Sequence, residues 1–205
     1  MSEFIQTDTD HLAYSQIRLK AYSATFGRSA SKIYNFNELD PGEPGLMIDV
    51  LVYPIAQPAP KGPVFALVTN GLSDFPIFDP DEGVTERCEL IQYFYAVTDA
   101  DARRLYAVAQ LAVLENINLE DHDTIALQAP DPFDRPNSLF LRPLVKAHAR
   151  LEFTIDGDTT ILLWHVPISD DELEVKREHG AAALIQRMAE TAMPWVYDGQ
   201  REPLA

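Results

Sequence analysis

The sequence has little cysteine: Cys88 is the only one among 205 residues. A single cysteine excludes an intramolecular disulfide framework and a cysteine-rich zinc site, and low cysteine use suits a reducing compartment. The opening stretch, MSEFIQTDTD, is acidic and lacks the basic and apolar regions of a signal peptide. No run approaches the ~18 apolar residues that would cross a membrane. We therefore expect a cytoplasmic protein in which Cys88 packs in the core.

Basic residues are also scarce. Lysine and arginine total 16 against 32 acids, which gives a formal net charge of −16. Such a charge repels nucleic acid and anionic membrane surfaces and favours encounter with basic partners. It also serves solubility alone. The composition predicts no nucleic-acid partner and no membrane partner, and leaves the oligomeric state open.

Motifs that hold cofactors are lacking as well. Neither common spacing of a glycine-rich phosphate loop occurs. The acidic run EDHD at 120–123 surrounds His122, but consecutive acids on a loop are typical of a solvated surface, and no converging ligands can be named. We expect neither a metal nor a cofactor.

What the sequence does have is an alternation of helical and strand patterns. Helices are predicted where apolar residues recur at three- and four-residue spacing, and strands where they alternate or run continuously. A DGD turn between two apolar arms predicts a hairpin, and Ser169 with Glu172 forms a capping-box pattern. The order of these elements predicts one α+β domain over residues 1–205, a sandwich with a mixed central β-sheet flanked by helices. The helical segments are 7–29, 99–115, 170–180 and 181–192; the strands are 46–54, 63–71, 85–97, 124–127, 138–144, 149–155 and 159–168.

The Asn-Gly pair in the stretch VTNGLSD, residues 68–74, predicts a hairpin turn. The residues that follow are rich in prolines and acids and do not form a second clean strand pattern. The same stretch also resembles the start of a hydrolase nucleophile elbow, with Ser73 as the nucleophile. The elbow pattern requires a glycine at position 75, where this chain has Phe75, and a helix should follow, where Pro76 stands instead. We therefore disfavour a Ser73 hydrolase.

Two acids lie in apolar strands and offer another route to an enzyme. Asp49 and Glu89 could form a pair of buried carboxylates for acid–base catalysis. The structural alternative is that each is paired, because an unpaired buried charge is costly. Arg87 lies two residues from Glu89 and would share its face of the strand, so we predict that these two side chains pair locally. An enzyme using Asp49, Glu89 or Ser73 and a small-molecule binder stay open as alternatives.

Five segments together resemble the Suppressor of Fused (SUFU) domain family. They follow the order of that family over about residues 10–198, and the last is the most specific. The segments are IDVLVYP (48–54), LVTNGLSD (67–74), ERCEL (86–90), FLRPL (140–144) and LLWHVPISDDELEVKREHG (162–180).

This resemblance implies an α/β sandwich that binds another protein and has no catalytic activity. In the family, animal members bind an extended peptide of a transcription factor, and bacterial single-domain members are proposed to act as immunity proteins against toxins. This chain resembles a bacterial single-domain member, so the partner that the resemblance implies is a protein such as a toxin domain. The family's GLSD aspartate lies near the partner; here it is Asp74, with Leu72 and Phe75 as apolar neighbours. These three are the predicted partner-binding residues.

Overall fold

A central sheet of nine strands organises the described part of the chain. The computed structural model describes residues 8–36, 46–59, 61–75, 77–79, 84–127, 135–197 and 204. Within these ranges the strands are β1 (Lys32–Asn35), β2 (Asp49–Ala59), β3 (Gly62–Asn70), β4 (Ile77–Asp79), β5 (Val84–Phe94), β6 (Thr124–Ala126), β7 (Asn137–Leu141), β8 (Glu152–Ile155) and β9 (Asp158–Ile168). They lie in the order β1-β2-β3-β5-β9-β7-β6, while β4 pairs with β5 and β8 pairs with β9.

The sheet is mixed, as the sequence predicted. β5 and β9 are parallel, with Glu89 opposite Leu162, and the other strand pairs are antiparallel. β5 and β9 occupy central positions, so both of their faces must be covered. β9 meets that requirement with a long apolar run, whereas β5 carries the buried polar residues Arg87, Glu89 and Gln92 among its apolar ones.

Helices cover the two faces of the sheet and form separate cores. In the described ranges they are α1 (Asp8–Phe26), α2 (Asp99–Leu114), α3 (Lys146–Ala149), α4 (Asp170–His179) and α5 (Ala181–Glu190). One core joins Tyr22 of α1 to Leu173 of α4 and Leu184 of α5 across β2, β3, β5 and β9. The other joins the apolar stripe of α2, including Leu105 and Val108, to the opposite face. The predicted α+β sandwich with flanking helices is therefore confirmed.

Local signals fixed several element boundaries. Ser169 accepts a hydrogen bond from the Glu172 amide, and the Glu172 carboxylate accepts one from the Ser169 amide, which is the predicted capping box at the start of α4. α4 ends at Gly180, whose φ of +83° separates it from α5. The predicted hairpin turn forms at Asp156 and Gly157, with φ of +53° and +93°.

Other boundaries were wrong. Pro54 was expected to end its strand, but β2 continues to Ala59, with Pro54 opposite Phe65. Pro54 stays in register, and the register shift lies beyond it, between Ile55 and Ala59. Pairing of β2 with β1 ends at Val52, so Pro54 lies where the strand has only one partner and a residue without an N–H donor is tolerated. The short elements β1 and α3 were not predicted, because four residues are too few for a periodic pattern.

Candidate functional site: the loop between β3 and β4

The loop after β3 turns sharply away from the sheet. Leu72–Asp74 forms one 3-10 turn, and Gly71 before it has φ +138°. A Cβ at position 71 would lie 2.3 Å from the backbone oxygen of Met47, so only glycine fits. The Asn70-Gly71 pair therefore ends a strand and starts this turn. β4 then returns to pair with β5, not with β3.

A buried carboxylate on β5, that of Glu89, fixes the loop from the side of the sheet. Glu89 of β5 is fully buried. One oxygen, Oε1, accepts hydrogen bonds from the Gly71 amide (3.0 Å), the Ser73 amide (3.1 Å) and the Ser73 hydroxyl (2.6 Å). The other, Oε2, accepts from the Thr69 hydroxyl at 2.5 Å. A carboxylate with this many donors fixes the backbone of the loop.

A buried arginine on α1, Arg18, fixes the loop from the side of the helix. Arg18 of α1 is fully buried. Its Nε donates to Asn70 Oδ1 at 2.7 Å, and its two terminal nitrogens donate to the Asp74 carboxylate. Nε also lies 3.6 Å from Glu89 Oε1. Arg18 thus bridges two buried carboxylates.

The electrostatics of Arg18 follow from these neighbours. Burial works against its charged form, but Glu89 and Asp74 outweigh burial and raise the pKa of the guanidinium. Burial, and then the negative charge of Glu89, raises the pKa of the nearby Tyr22 phenol well above its ordinary value. The Tyr22 hydroxyl donates to the Thr69 carbonyl at 2.9 Å and ties α1 to the same strand.

A second arginine joins the loop to the β8–β9 hairpin. Arg87 Nη1 donates to the Ser73 carbonyl at 2.7 Å, and its Nε donates to Asp158 at 3.0 Å. Asp156 lies 3.7 Å from the same guanidinium. The predicted local pair of Arg87 with Glu89 is therefore wrong: Arg87 reaches the loop and the hairpin, and Glu89 lies beside Arg18 of α1. A partner far away in sequence replaced the near one.

The rim of this region carries polar contacts from α1. His11 Nδ1 lies 2.9 Å from Asp74 Oδ2. Tyr14 donates a hydrogen bond to Asp156, and Asn70 Nδ2 donates to the Ser15 hydroxyl at 3.0 Å. The first half of α1 therefore covers the loop through polar side chains.

The three predicted partner-binding residues have different environments. Leu72 is 2% exposed and packs in the core under α2, and the Asp74 carboxylate is buried against Arg18. Phe75 is half-buried at the edge of that core. In this conformation a partner would reach Phe75 directly and Asp74 only if α1 moved.

The residues of the alternative enzyme hypothesis are engaged in structural contacts. The Ser73 hydroxyl is buried, donates to Glu89 and accepts from Arg18. Glu89 is held by backbone amides, while Asp49 Oδ2 lies 3.4 Å from Asn70 Nδ2. The two carboxylates thus contact different groups, so this geometry lends no support to a shared acid–base site.

A second buried polar group lies further along the sheet. His165 contacts the Ser138 hydroxyl through Nε2 (2.8 Å) and Gln92 Oε1 through Nδ1 (2.9 Å). Burial, with the positive charge of Arg104, lowers the pKa of His165 well below its ordinary value. A neutral imidazole that donates from Nδ1 to Gln92 and accepts at Nε2 from Ser138 satisfies both contacts. All three side chains are buried, as expected of a structural histidine.

Within the described ranges, no three histidine, cysteine, aspartate or glutamate side chains are grouped so as to hold a metal ion. In the same part of the chain, no helix has the length and apolarity needed to cross a membrane.

The sequence indicated the loop but missed Arg18. GLSD stood out as a motif, and Glu89 as an acid in an apolar strand. Arg18 lies in a helix, where an arginine is ordinarily solvent-exposed, and no local pattern marked it as buried. The one signal that could have identified it is charge balance, since a buried acid such as Glu89 requires a cation.

Comparison with protein families gives one match. Residues 46–202 match the family model described as Suppressor of fused protein (SUFU). The match includes the loop, Glu89 and the hairpin, and it begins after α1. No protein in a curated collection matches the chain significantly.

Several solved structures share the fold. A SUFU homologue from Neisseria gonorrhoeae FA 1090 aligns with 95% of this chain and 98% of its own, at 14% identity and TM-score 0.69. The Sufu–Fu complex aligns with 91% of each chain at 14% identity and TM-score 0.57. Drosophila Suppressor of Fused aligns at 15% identity and TM-score 0.55, over 83% of this chain and 49% of its own. This chain thus spans about half the length of the Drosophila protein.

Proposed function

Because the chain belongs to the Suppressor of fused protein (SUFU) family, we propose that it is a non-enzymatic module that binds another protein. The observation that carries the proposal is the family match over 46–202, which contains the whole loop and the strands that hold it. A protein of the same fold forms a complex with Fu, and its alignment covers 91% of this chain.

The structure supports one face for this binding. We call it the loop face; it consists of His11, Leu12, Phe75, Asp156 and Asp158. Leu12 is 63% exposed, and the Asp156 and Asp158 side chains are 47% and 33% exposed. These residues surround a loop whose backbone is fixed by Glu89, so the face is preorganised.

The charge of the chain supports a basic partner. The net charge is −16, and the two hairpin acids lie on the loop face. Complementary charge accelerates encounter and selects partners. A toxin domain of a basic type, neutralised by direct binding in the cytoplasm, is the partner that we propose. The single cysteine suits that reducing compartment.

Affinity capture from the source organism tests the proposal. The bait is the intact chain, compared with the pair Asp156→Asn and Asp158→Asn, which keeps the turn and its hydrogen-bond acceptors. The control pair, Glu174→Gln and Glu178→Gln, neutralises two exposed acids on α4. We expect one protein to be captured by the wild type and the control but reduced several-fold with the hairpin pair. Equal capture by all three would contradict the loop face, and no specific protein would contradict the binding function.

A further inference from the structure

Arg18 sits in a set of acceptors arranged for a guanidinium. We call this set the guanidinium cradle; it consists of Asn70, Ser73, Asp74 and Glu89. Arg18 Nε donates to Asn70 at 2.7 Å, Nη1 donates to Ser73 at 3.3 Å and to Asp74, and Nη2 donates to Asp74 at 3.1 Å. The two-pronged contact with Asp74 matches the planar fork of arginine and not the point charge of lysine.

The cradle requires a cation in the folded chain. Asp74 and Glu89 are both fully buried, and Arg18 lies between them. Two buried carboxylates without a countercharge are strongly destabilising. The second arginine, Arg87, donates to the Ser73 carbonyl and forms ion pairs with Asp156 and Asp158, so it does not serve as the countercharge of the cradle. Any partner that removes Arg18 from the cradle must therefore supply a cation of its own.

The part of α1 that carries Arg18 is attached mainly by polar contacts. His11 contacts Asp74, Tyr14 contacts Asp156, and Ser15 contacts Asn70. The apolar residues of this half, Leu12 and Ile17, are 63% and 39% exposed. Withdrawal of residues 11–18 would therefore uncover little apolar core.

The second half of α1 is attached differently. Tyr22 is fully buried and packs edge-on against Tyr53 and Phe153, while Phe26 stacks on Tyr53 at 4.4 Å between ring centroids. This half can anchor the helix while the first half moves. The family match, 46–202, contains all four cradle residues but not α1, so Arg18 comes from outside the matched segment.

We infer that the guanidinium cradle is an arginine-binding site that Arg18 fills in cis, and that an arginine side chain of a protein partner competes for it. The first half of this inference stands on the geometry alone, and the second rests on the proposed function. Displacement of Arg18 would bring Asp74 into contact with the partner.

Chemical complementation tests the cradle without a partner. Arg18→Ala removes the occupant, and Arg18→Lys keeps the charge but not the fork, so one variant retains a countercharge for folding. We expect millimolar guanidinium chloride to raise the melting temperature of Arg18→Ala saturably, by a few degrees, and tetramethylammonium chloride at equal ionic strength to have no such effect. In Arg18→Lys the lysine ammonium already occupies the cradle, so guanidinium should give no such rise. The wild type, already occupied, should only be destabilised by guanidinium.

Two controls make the result specific. Lys20→Ala removes an exposed cation from the same helix and should behave as the wild type. Adding Asp74→Asn to Arg18→Ala should abolish the guanidinium effect. Identical responses of Arg18→Ala to the two salts would overturn the cradle, and so would an Arg18→Ala chain that refolds no better in guanidinium than in tetramethylammonium. Failure of affinity capture would instead contradict the proposed function and leave the guanidinium result unaffected, so the two failures are distinguishable.

Discussion

At the scale of single residues, Gly71 is the position on which the loop depends most. Its φ of +138° is disfavoured for other residues, and a Cβ would meet a backbone oxygen at 2.3 Å, which cannot move as a side chain could. We expect Gly71→Ala to lower the free energy of unfolding by at least about 2 kcal/mol. Chemical denaturation of the purified variant measures this.

Gly27 provides the matched control for that measurement. It also has positive φ, +69°, but an added Cβ there meets nothing within 4 Å. Gly27→Ala should therefore cost only the backbone term, about 1 kcal/mol. If the two variants lost the same free energy of unfolding, the close approach of position 71 to the Met47 backbone would contribute nothing to the cost of Gly71→Ala.

At the scale of elements, two capping boxes allow a direct comparison. Ser169 caps α4 and is 7% exposed, while Thr98 caps α2 at the surface. The Ser169 box is also tied to the chain end, because its partner Glu172 accepts a hydrogen bond from the Leu204 amide. We expect Ser169→Ala to cost about 2 kcal/mol and Thr98→Ala about 1 kcal/mol or less.

Thermal or chemical unfolding of both variants checks this order. The reverse order would mean that burial of the cap and its link to Leu204 add nothing to the stability of α4.

The elements also show what sequence reasoning can reach. Long periodic helices, the Ser169 capping box and the Asp156-Gly157 turn are local signals, and they were predicted correctly. The partner of Glu89 is a long-range property, because Arg18 and Glu89 are brought together only by the packing of α1 on the sheet. The course of β2 past Pro54 likewise depends on pairing with β3, which a local breaker rule does not include.

At the scale of the whole molecule, buried histidines couple folding to pH. The His148 side chain is buried, and its Nδ1 lies 2.8 Å from the Tyr93 hydroxyl. Burial lowers the pKa of this imidazole to about 4. In the unfolded chain the His148 imidazole is protonated as the pH falls below about 6.5, whereas in the folded chain it is protonated only near pH 4. The stability from this site is thus present above pH 6.5 and falls as the pH drops toward 4, by about 3 kcal/mol.

His148→Gln should reduce the loss of stability over this pH range. The measurement is the free energy of unfolding of wild type and variant between pH 7 and pH 4. Burial also lowers the pKa of His165, so His148→Gln should retain part of the dependence of the free energy of unfolding on pH. An unchanged slope in His148→Gln would contradict the assignment of His148 as a neutral buried group.

The measurement that tests the central claim most directly is the association rate of the chain with its captured partner as salt rises. Salt screens charge on the exposed loop face, so association of the wild type should slow steeply. The Asp156→Asn and Asp158→Asn pair should associate more slowly at low salt and depend less on salt, whereas the Glu174→Gln and Glu178→Gln control should follow the wild type. A rate independent of salt, or one changed equally by the two pairs, would contradict binding of a basic protein at the loop face.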